Sequence, residues 1–194
     1  MTPTIVLVTG LSATGKTIFA REIAERFELP LFIKDDFKEA MFENVCPDGD
    51  YARMDWDLHA LLGRMSFVAM AVALRSAVRT GHGGVFEGNF DRKLFSPVLA
   101  GIGEERGFYL LQAHLVCDEE ERMRRFIERE KDGSRHPGHQ GLRLLADRGG
   151  SPVVKEDAPL DLPSGETFRL DTTDFDAFDP EPFFKAVEER LLGA

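Results

Sequence analysis

Short apolar runs alternate with longer amphipathic stretches along almost the whole chain. The apolar runs are bounded by Gly, Pro or Asp, and they predict about five strands, at residues 4–9, 30–34, 84–87, 109–117 and 166–170. Helical patterns lie between and after them, at residues 15–27, 36–44, 57–80, 92–106, 119–131, 140–148 and 181–192. Because continuous apolar strands alternate with helices, we expect an α/β fold whose parallel sheet has helices on both faces.

The chain has no internal repeat and no linker long enough to divide it, so we expect a single domain over residues 1–194. Residues 45–56 and 149–165 match neither pattern, and we expect ordered loops there. The longest apolar run, residues 67–74, is far shorter than the roughly 20 residues of a membrane span and predicts a buried helix. No basic segment precedes the first apolar run, so we expect neither a signal peptide nor a membrane segment.

Acidic residues outnumber basic ones by 34 to 24, which gives a formal net charge of −10. This balance argues against a general nucleic-acid or anionic-membrane binder. Residues 122–148 have 8 bases and 4 acids, whereas acids exceed bases in both 1–121 and 149–194, so positive charge is concentrated in the middle stretch. The two cysteines, Cys46 and Cys117, are too few for a disulfide framework, which suits a cytoplasmic protein.

Residues 10–17 read GLSATGKT and match the pattern G-x-x-x-x-G-K-[ST]. A predicted strand precedes the motif and an amphipathic helix follows it, as a phosphate-binding loop requires. Glycines let the backbone curl so that its N–H groups point at phosphates, the lysine reaches the β and γ phosphates, and the threonine hydroxyl ligates Mg²⁺. The predicted nucleoside triphosphate site therefore comprises Gly10, Leu11, Ser12, Ala13, Thr14, Gly15, Lys16 and Thr17.

At this motif the chain resembles the P-loop kinase superfamily of small phosphotransferases, which includes shikimate and gluconate kinases, chloramphenicol phosphotransferase, zeta toxins and polynucleotide kinase. The resemblance implies a three-layer α/β/α P-loop NTPase fold with a helical lid at about residues 125–140. It also implies ATP and Mg²⁺ as cofactors and a small-molecule hydroxyl as the phosphate acceptor.

Residues 34–38, KDDFK, follow the second predicted strand, where these kinases commonly have an acid, a polar residue, an apolar residue and a base. The resemblance implies that Asp35 is the general base for the acceptor hydroxyl and that Asp36 and Lys38 bind the substrate. The alternative is that Asp35 or Asp36 caps the next helix, and the two uses are compatible.

Residues 83–90, GGVFEGNF, end the third predicted strand in an acid. Many P-loop proteins have an aspartate near this point to hold the water shell of Mg²⁺, whereas Glu87 is similar to the zeta toxins. We expect Glu87 to contact metal-bound water or a substrate hydroxyl. Asn89 is a candidate substrate residue, with a turn residue as the alternative.

Six basic residues follow the fourth predicted strand, and two of them form an R-x-x-x-R pair on one helical face. By the resemblance, Arg125 and Arg129 are catalytic, and Arg125 and Arg135 contact the nucleotide, because a guanidinium binds phosphate and stacks on a base. The alternative is a solvated face paired with neighbouring glutamates. Thr172 follows the last strand, where similar kinases place an Asp-Thr-Ser/Thr sequence beside adenine; a plain turn is the alternative. His136 and His139 have no acid or thiol cluster, so we expect no metal site there.

We expect the acceptor over Asp35 and Glu87, lined by Tyr51, Arg53, Asp55 and Trp56. For the apolar positions Leu61, Leu62, Met65 and Met70 we expect core packing, with a pocket wall or dimer contact as alternatives. The leading hypothesis is an ATP-dependent kinase, monomeric or homodimeric. The alternatives are a nucleotide-binding switch without an acceptor and a polynucleotide 5′-hydroxyl kinase.

Overall fold

The structure is a computed structural model that describes residues 2–147 and 157–193. Its strands are β1 (Thr4–Gly10), β2 (Leu31–Ile33), β3 (Gly84–Glu87), β4 (Tyr109–Val116) and β5 (Gly165–Asp171). Its helices are α1 (Lys16–Arg26), α2 (Lys34–Val45), α3 (Trp56–Thr80), α4 (Arg92–Glu105), α5 (Glu119–Lys131), α6 (Gly141–Asp147) and α7 (Glu181–Leu192). Short 3₁₀ turns occupy Tyr51–Arg53 and Pro137–His139.

The five strands form one parallel sheet in the order β2-β3-β1-β4-β5, which confirms the predicted fold class. Strand β1 is central, and every one of its residues is buried because both of its faces are covered. Val8 of β1 pairs with Glu87 of β3 and with Ala113 of β4. The carboxyl ends of these strands therefore meet at one edge, where ligands bind in open α/β sheets.

Alternate residues of β1 face two separate cores. Val6 and Val8 face the core that α1 and α7 fill, with Phe19, Ile23, Phe183, Phe184 and Val187. Ile5 and Leu7 face the core that α3 and α4 fill, with Met70, Leu74, Val78, Leu99 and Ile102. The sheet is thus the middle of three layers, as predicted.

Helix α3 buries one row of side chains and leaves another in solvent. Leu62 and Met70 are buried as predicted, whereas Leu61 and Met65 are 44% and 46% exposed, so the prediction of core packing is wrong for these two. A helix has 3.6 residues per turn, which places both on the outward face with Val68. Within the described residues, α3 is the one helix long and apolar enough by length and composition to cross a membrane.

Helix α2 begins earlier than the sequence predicted. Its cap residue is Ile33 and no side chain caps it, so the alternative that Asp35 or Asp36 caps the helix is wrong. Both aspartates lie in the first turn, where a negative charge is favourable near the helix N-terminus.

The second unassigned stretch, residues 149–165, is described only from residue 157 onward, and Arg148 also lies outside the described residues. Between residues 157 and 164 there is no regular element. Leu160 is buried there, and its N–H donates to the Gln112 side chain at 2.9 Å. This contact holds the segment against the sheet.

Candidate active site

The phosphate-binding loop joins β1 to α1 at the carboxyl edge of the sheet. Gly10 has a φ of 134°, and a Cβ there would lie 2.2 Å from the carbonyl oxygen of Leu115, so no side chain fits. Gly15 has a φ of 84° and precedes the first residue of α1. The loop therefore presents its backbone and the helix N-terminus to one side, as the motif predicts.

Two loop residues stand beside a buried acid. The Lys16 ammonium contacts the carbonyl oxygen of Leu11, and burial lowers the pKa of Lys16 to about 8 although Glu87 and Asp35 raise it. Thr17 Oγ1 donates to Glu87 Oε2 at 3.2 Å. Glu87 is only 5% exposed, and burial raises its pKa. The hydroxyl and the carboxylate predicted for Mg²⁺ are therefore neighbours.

One face of α2 supplies the opposite side of the site with Lys34, Asp35 and Lys38. Asp35 Oδ1 accepts from Lys34 Nζ at 2.6 Å, and Asp35 Oδ2 lies 3.6 Å from Arg135 Nη2. Burial alone would raise the pKa of Asp35, but Lys34, His139 and Arg135 together lower it below its usual range. Asp35 is therefore an ionised carboxylate.

Asp36 does not take part in this arrangement. The next residue of a helix lies about 100° further round, and Asp36 is exposed on the outer side of α2. Asp36 is not among the residues that line the site cavity, so this geometry gives no support to the prediction that it binds substrate.

A cavity at the carboxyl edge of the sheet brings most of the predicted residues together. Those that line it are Leu11, Ser12, Ala13, Lys16, Thr17, Asp35, Lys38, Glu87, Asn89, Arg129 and Arg135. Sequence reasoning missed Lys34, His59, Arg122, Met123, Phe126, His139, Leu144 and Leu145, which also line it. The spacing of Lys34 and Lys38, four residues apart on a helix, was the one available signal.

Arg129 and Arg135 extend from α5 and the lid into this cavity. In the described part of the chain, Arg129 Nε and Nη2 are buried without a hydrogen-bond partner. Burial and the neighbouring Arg135 lower the pKa of Arg129. Arg135 Nη1 donates to Glu130 Oε1 at 3.0 Å. Buried unpartnered donors are costly, and Arg129 is suited to an anionic oxygen of a ligand.

Arg125 lies elsewhere, so the structure does not support its predicted catalytic role. Its guanidinium donates to the carbonyl oxygens of Thr172 at 2.8 Å and Thr173 at 2.9 Å. Its central carbon lies 4.1 Å from the ring centroid of Phe175, a residue that is 50% exposed and that no sequence pattern indicated. Gly15 is adjacent, because a Cβ there would lie 3.0 Å from the Phe175 ring. This arrangement suits a nucleotide base beside the loop.

The hydroxyl of Thr172 faces the back of the phosphate loop and not the cavity. Thr172 is 1% exposed, and Thr172 Oγ1 lies 3.0 Å from the carbonyl oxygen of Thr14 and 2.9 Å from that of Val116. The Thr172 hydroxyl therefore braces the loop, which leaves the backbone of Thr172 for the predicted contact with the nucleotide.

The lid packs on α2 through aromatic rings. Phe42 stacks between His59 at 5.4 Å and His136 at 5.8 Å, measured between ring centroids. His139 Nε2 lies 2.9 Å from Glu39 Oε1, and burial lowers the pKa of His139. In the described ranges there is no group of three or more His, Cys, Asp or Glu residues that could hold a metal.

Helix α6 is fastened to the segment that precedes α3. Gln140 Nε2 donates to the carbonyl oxygen of Tyr51 at 2.7 Å, Arg143 to that of Ala52 at 3.0 Å, and Trp56 Nε1 to Asp147 at 2.9 Å. Tyr51 and Trp56 thus hold the lid and do not line the cavity. Arg53 pairs with Asp48 at 2.8 Å, and Asp55 caps α3, so the acceptor lining predicted for these four residues is wrong.

Solved structures with a similar fold include several described as kinases. A putative kinase from Chloroflexus aurantiacus is 25% identical, with 99% of this chain and 97% of that chain covered and a TM-score of 0.79. A sugar kinase from Janibacter sp. is 17% identical, with 96% and 92% covered and a TM-score of 0.52. The PezAT toxin-antitoxin system of Streptococcus pneumoniae is 13% identical, with 87% and 68% covered and a TM-score of 0.53.

No family model matches the sequence, and no curated protein matches it. The similarity is therefore one of structure: the fold, a parallel sheet with β1 at its centre, is similar to that of solved structures described as a putative kinase and a sugar kinase. Residues 10–17 match a phosphate-binding pattern and lie at the carboxyl end of β1.

Proposed function

We propose that the protein is an ATP-dependent phosphotransferase that moves the γ-phosphate of ATP to a hydroxyl group of a small molecule, using Mg²⁺. One observation carries the proposal: the ionised Asp35 shares a cavity with Lys16 and with Arg129, whose Nε and Nη2 lack hydrogen-bond partners within the described ranges. A carboxylate that faces a phosphate-binding loop is the pairing that transfer to a hydroxyl needs.

The residues present suit a nucleotide and its metal. Because Gly10 has no side chain, the loop packs directly on the Leu115 carbonyl of β4, and Arg129 Nε and Nη2 have no hydrogen-bond partner among the described residues. The Thr17 hydroxyl and the Glu87 carboxylate would hold Mg²⁺ together with phosphate oxygens and water, a ligand set typical of this ion. When bound, Mg²⁺ neutralises charge on the phosphates.

Asp35 would orient the acceptor hydroxyl and take its proton. As the acceptor oxygen bonds to the γ-phosphorus, the bond to the bridging oxygen of ADP breaks and the hydroxyl proton passes to Asp35. The low pKa of Asp35 makes it a weak base, which suits late proton transfer. Lys16, Arg129 and Arg135 would stabilise the charge on the transferring group.

The test is acceptor-stimulated ADP formation with ATP, Mg²⁺ and a broad library of hydroxyl compounds, with the phosphorylated product identified by mass spectrometry. We expect Lys16→Ala and Asp35→Asn to lower this activity by about 100-fold or more. Asp36→Asn is the matched control, because Asp36 is exposed on the outer side of the same helical turn and should leave the rate unchanged.

Stimulation that survives both substitutions would refute the site assignment. Tight nucleotide binding with no phosphorylated product would favour the nucleotide-binding switch. Phosphate incorporated into a single-stranded oligonucleotide would favour the polynucleotide kinase.

A further inference from the structure

The cavity has two unlike walls. Its floor is ionic, with Lys16, Lys34, Asp35 and Glu87 among its residues. Another part of its lining is apolar and consists of four half-buried side chains, Met123 and Phe126 from α5 and Leu144 and Leu145 from α6. These four residues are called the apolar roof below.

A bound nucleotide would leave the apolar roof uncovered. The base position suggested by Arg125 and Phe175 lies outside the cavity, since neither residue lines it. The triphosphate is an anion, and its partners are the loop backbone and the cations Lys16 and Arg129. The triphosphate is therefore not matched to an apolar surface, and the base would pack beside Phe175, outside the cavity.

The α6 part of the apolar roof is linked to the acceptor side of the site. Arg135, which precedes α6, lies 3.6 Å from Asp35, the proposed base. Gln140 and Arg143 fasten α6 and the residue before it to the residues that precede α3. Leu144 and Leu145 line the same cavity as Asp35, so an acceptor bound there can reach both.

We propose that the acceptor carries an aromatic or aliphatic group beside its hydroxyl, and that this group packs on the apolar roof while the hydroxyl meets Asp35. The inference rests on the proposed phosphotransferase function and specifies its substrate class. An apolar group gains affinity by leaving water for such a surface, whereas a bare polyol gains nothing there.

The first test measures binding to the full chain without ATP, by ligand-observed NMR. Matched pairs of probes are 1-phenylethane-1,2-diol against glycerol, and phenyl glucoside against methyl glucoside. We expect the phenyl member of at least one pair to bind about tenfold more tightly, the scale typical of one well-matched apolar contact. Equal affinities in every pair would overturn the proposal.

The second test compares two leucines of the same short helix. Leu144 lines the cavity, whereas Leu142 is 41% exposed on the outer side. We expect Leu144→Ser to raise the KM for the phenyl acceptor about tenfold with the KM for ATP unchanged, and Leu142→Ser to change neither. Leu144→Met, which keeps the surface apolar, should retain the wild-type KM and excludes a mere folding defect.

Two results separate this inference from the proposed function. If phenyl probes bind and Leu144→Ser weakens them, but no product forms with any acceptor, the ligand class stands and the phosphotransferase proposal fails. If polyols are phosphorylated as well as their phenyl partners, or if Leu144→Ser raises only acceptor-independent ATP hydrolysis, the function stands and the apolar acceptor is refuted.

Discussion

Lys16 and Asp35 show that the surroundings of a side chain decide its pKa and its charge state. Both groups lose water on burial, yet the outcomes differ: burial dominates at Lys16, whereas His139 and two cations, Lys34 and Arg135, overcome it at Asp35. The cations come from α2 and from the lid. The motifs predicted both residues, but they could not predict a charge state that depends on elements distant in sequence.

The pKa of Lys16 makes nucleotide binding depend on pH. With a pKa of about 8, free Lys16 loses its proton above that pH, and bound phosphate should restore it by stabilising the ammonium. We expect ATP binding to take up a proton at about pH 8.5, and the affinity to fall by up to about tenfold per pH unit above the pKa. Calorimetry in two buffers of different ionisation enthalpy measures the uptake.

Lys16→Arg is the control for this pH dependence. Because a guanidinium stays charged, the affinity of this variant for ATP should not change between about pH 8 and pH 10. A wild-type protein that takes up no proton on binding would contradict the prediction.

Three residues mark the limit of reading a site from sequence. Asp36 was predicted to bind substrate together with Asp35, but it lies on the exposed side of α2 and not in the cavity. Thr172 follows a family pattern, yet its hydroxyl contacts the carbonyl oxygen of Thr14 in the phosphate-binding loop. Phe175 meets Arg125 across about fifty residues of chain, and no local pattern shows such a contact.

At the scale of elements, the 3₁₀ turn Pro137–His139 packs on α2 as closely as side chains pack in a core. A Cβ on Gly138 would lie 2.5 Å from Phe42 Cδ2, closer than any real contact. The ring of His136 covers another part of Phe42. The lid can rest on α2 only because residue 138 has no side chain.

Gly138→Ala should therefore loosen the lid. Forcing a methyl group into this contact costs about 1–3 kcal/mol, which the lid can relieve by moving away from Phe42. We expect faster proteolysis within residues 132–140 and a lower rate of acceptor phosphorylation. Limited proteolysis followed by mass spectrometry locates the cleavage.

The second substitution Phe42→Leu, which removes ring atoms from the clash and keeps a buried apolar side chain, should restore part of the protection of Gly138→Ala if the clash is the cause. Gly107→Ala is the control, because a Cβ there meets no atom within 4 Å. Unchanged proteolysis in Gly138→Ala would contradict this account of the lid.

Helices and strands with a regular spacing of apolar residues were predictable from the sequence. The residues at which they begin and end were less predictable. Strands β1, β3 and β4 are apolar runs because the sheet is buried on both faces there, whereas the edge strand β5 is largely exposed; the structure has a strand at each predicted place. Helix α2 was predicted two residues late, since Lys34 and Asp35 have the composition of a loop. Lys34 and Lys38 are buried there against α3, where Lys34 lies over the Phe67 ring and Lys38 beside His59.

At the scale of the whole molecule, the stability resides in the two cores on either side of the sheet. Helix α7 contributes Phe183 and Phe184, both fully or almost fully buried, to the core that also supports α1. Because α1 follows the phosphate loop directly, this distant helix supports the site from behind.

Phe183→Ala should cost about 3–5 kcal/mol of the free energy of unfolding, because a large cavity replaces a buried ring. The KM for ATP should change little at temperatures where the variant remains folded. Leu192→Ala, at a position 79% exposed on the same helix, is the control and should cost less than about 0.5 kcal/mol. Urea unfolding measures both, and similar losses in the two variants would be inconsistent with this packing.

The central position of β1 also bears on how the chain folds during its synthesis. Its two neighbours are β3 and β4, so β1 leaves the ribosome without a partner and waits until at least residue 84 has been made. The intervening strand β2 pairs only with β3 and offers no earlier ladder. An apolar segment that must wait this long for pairing is exposed to misassociation, and chaperones that bind nascent chains protect such segments.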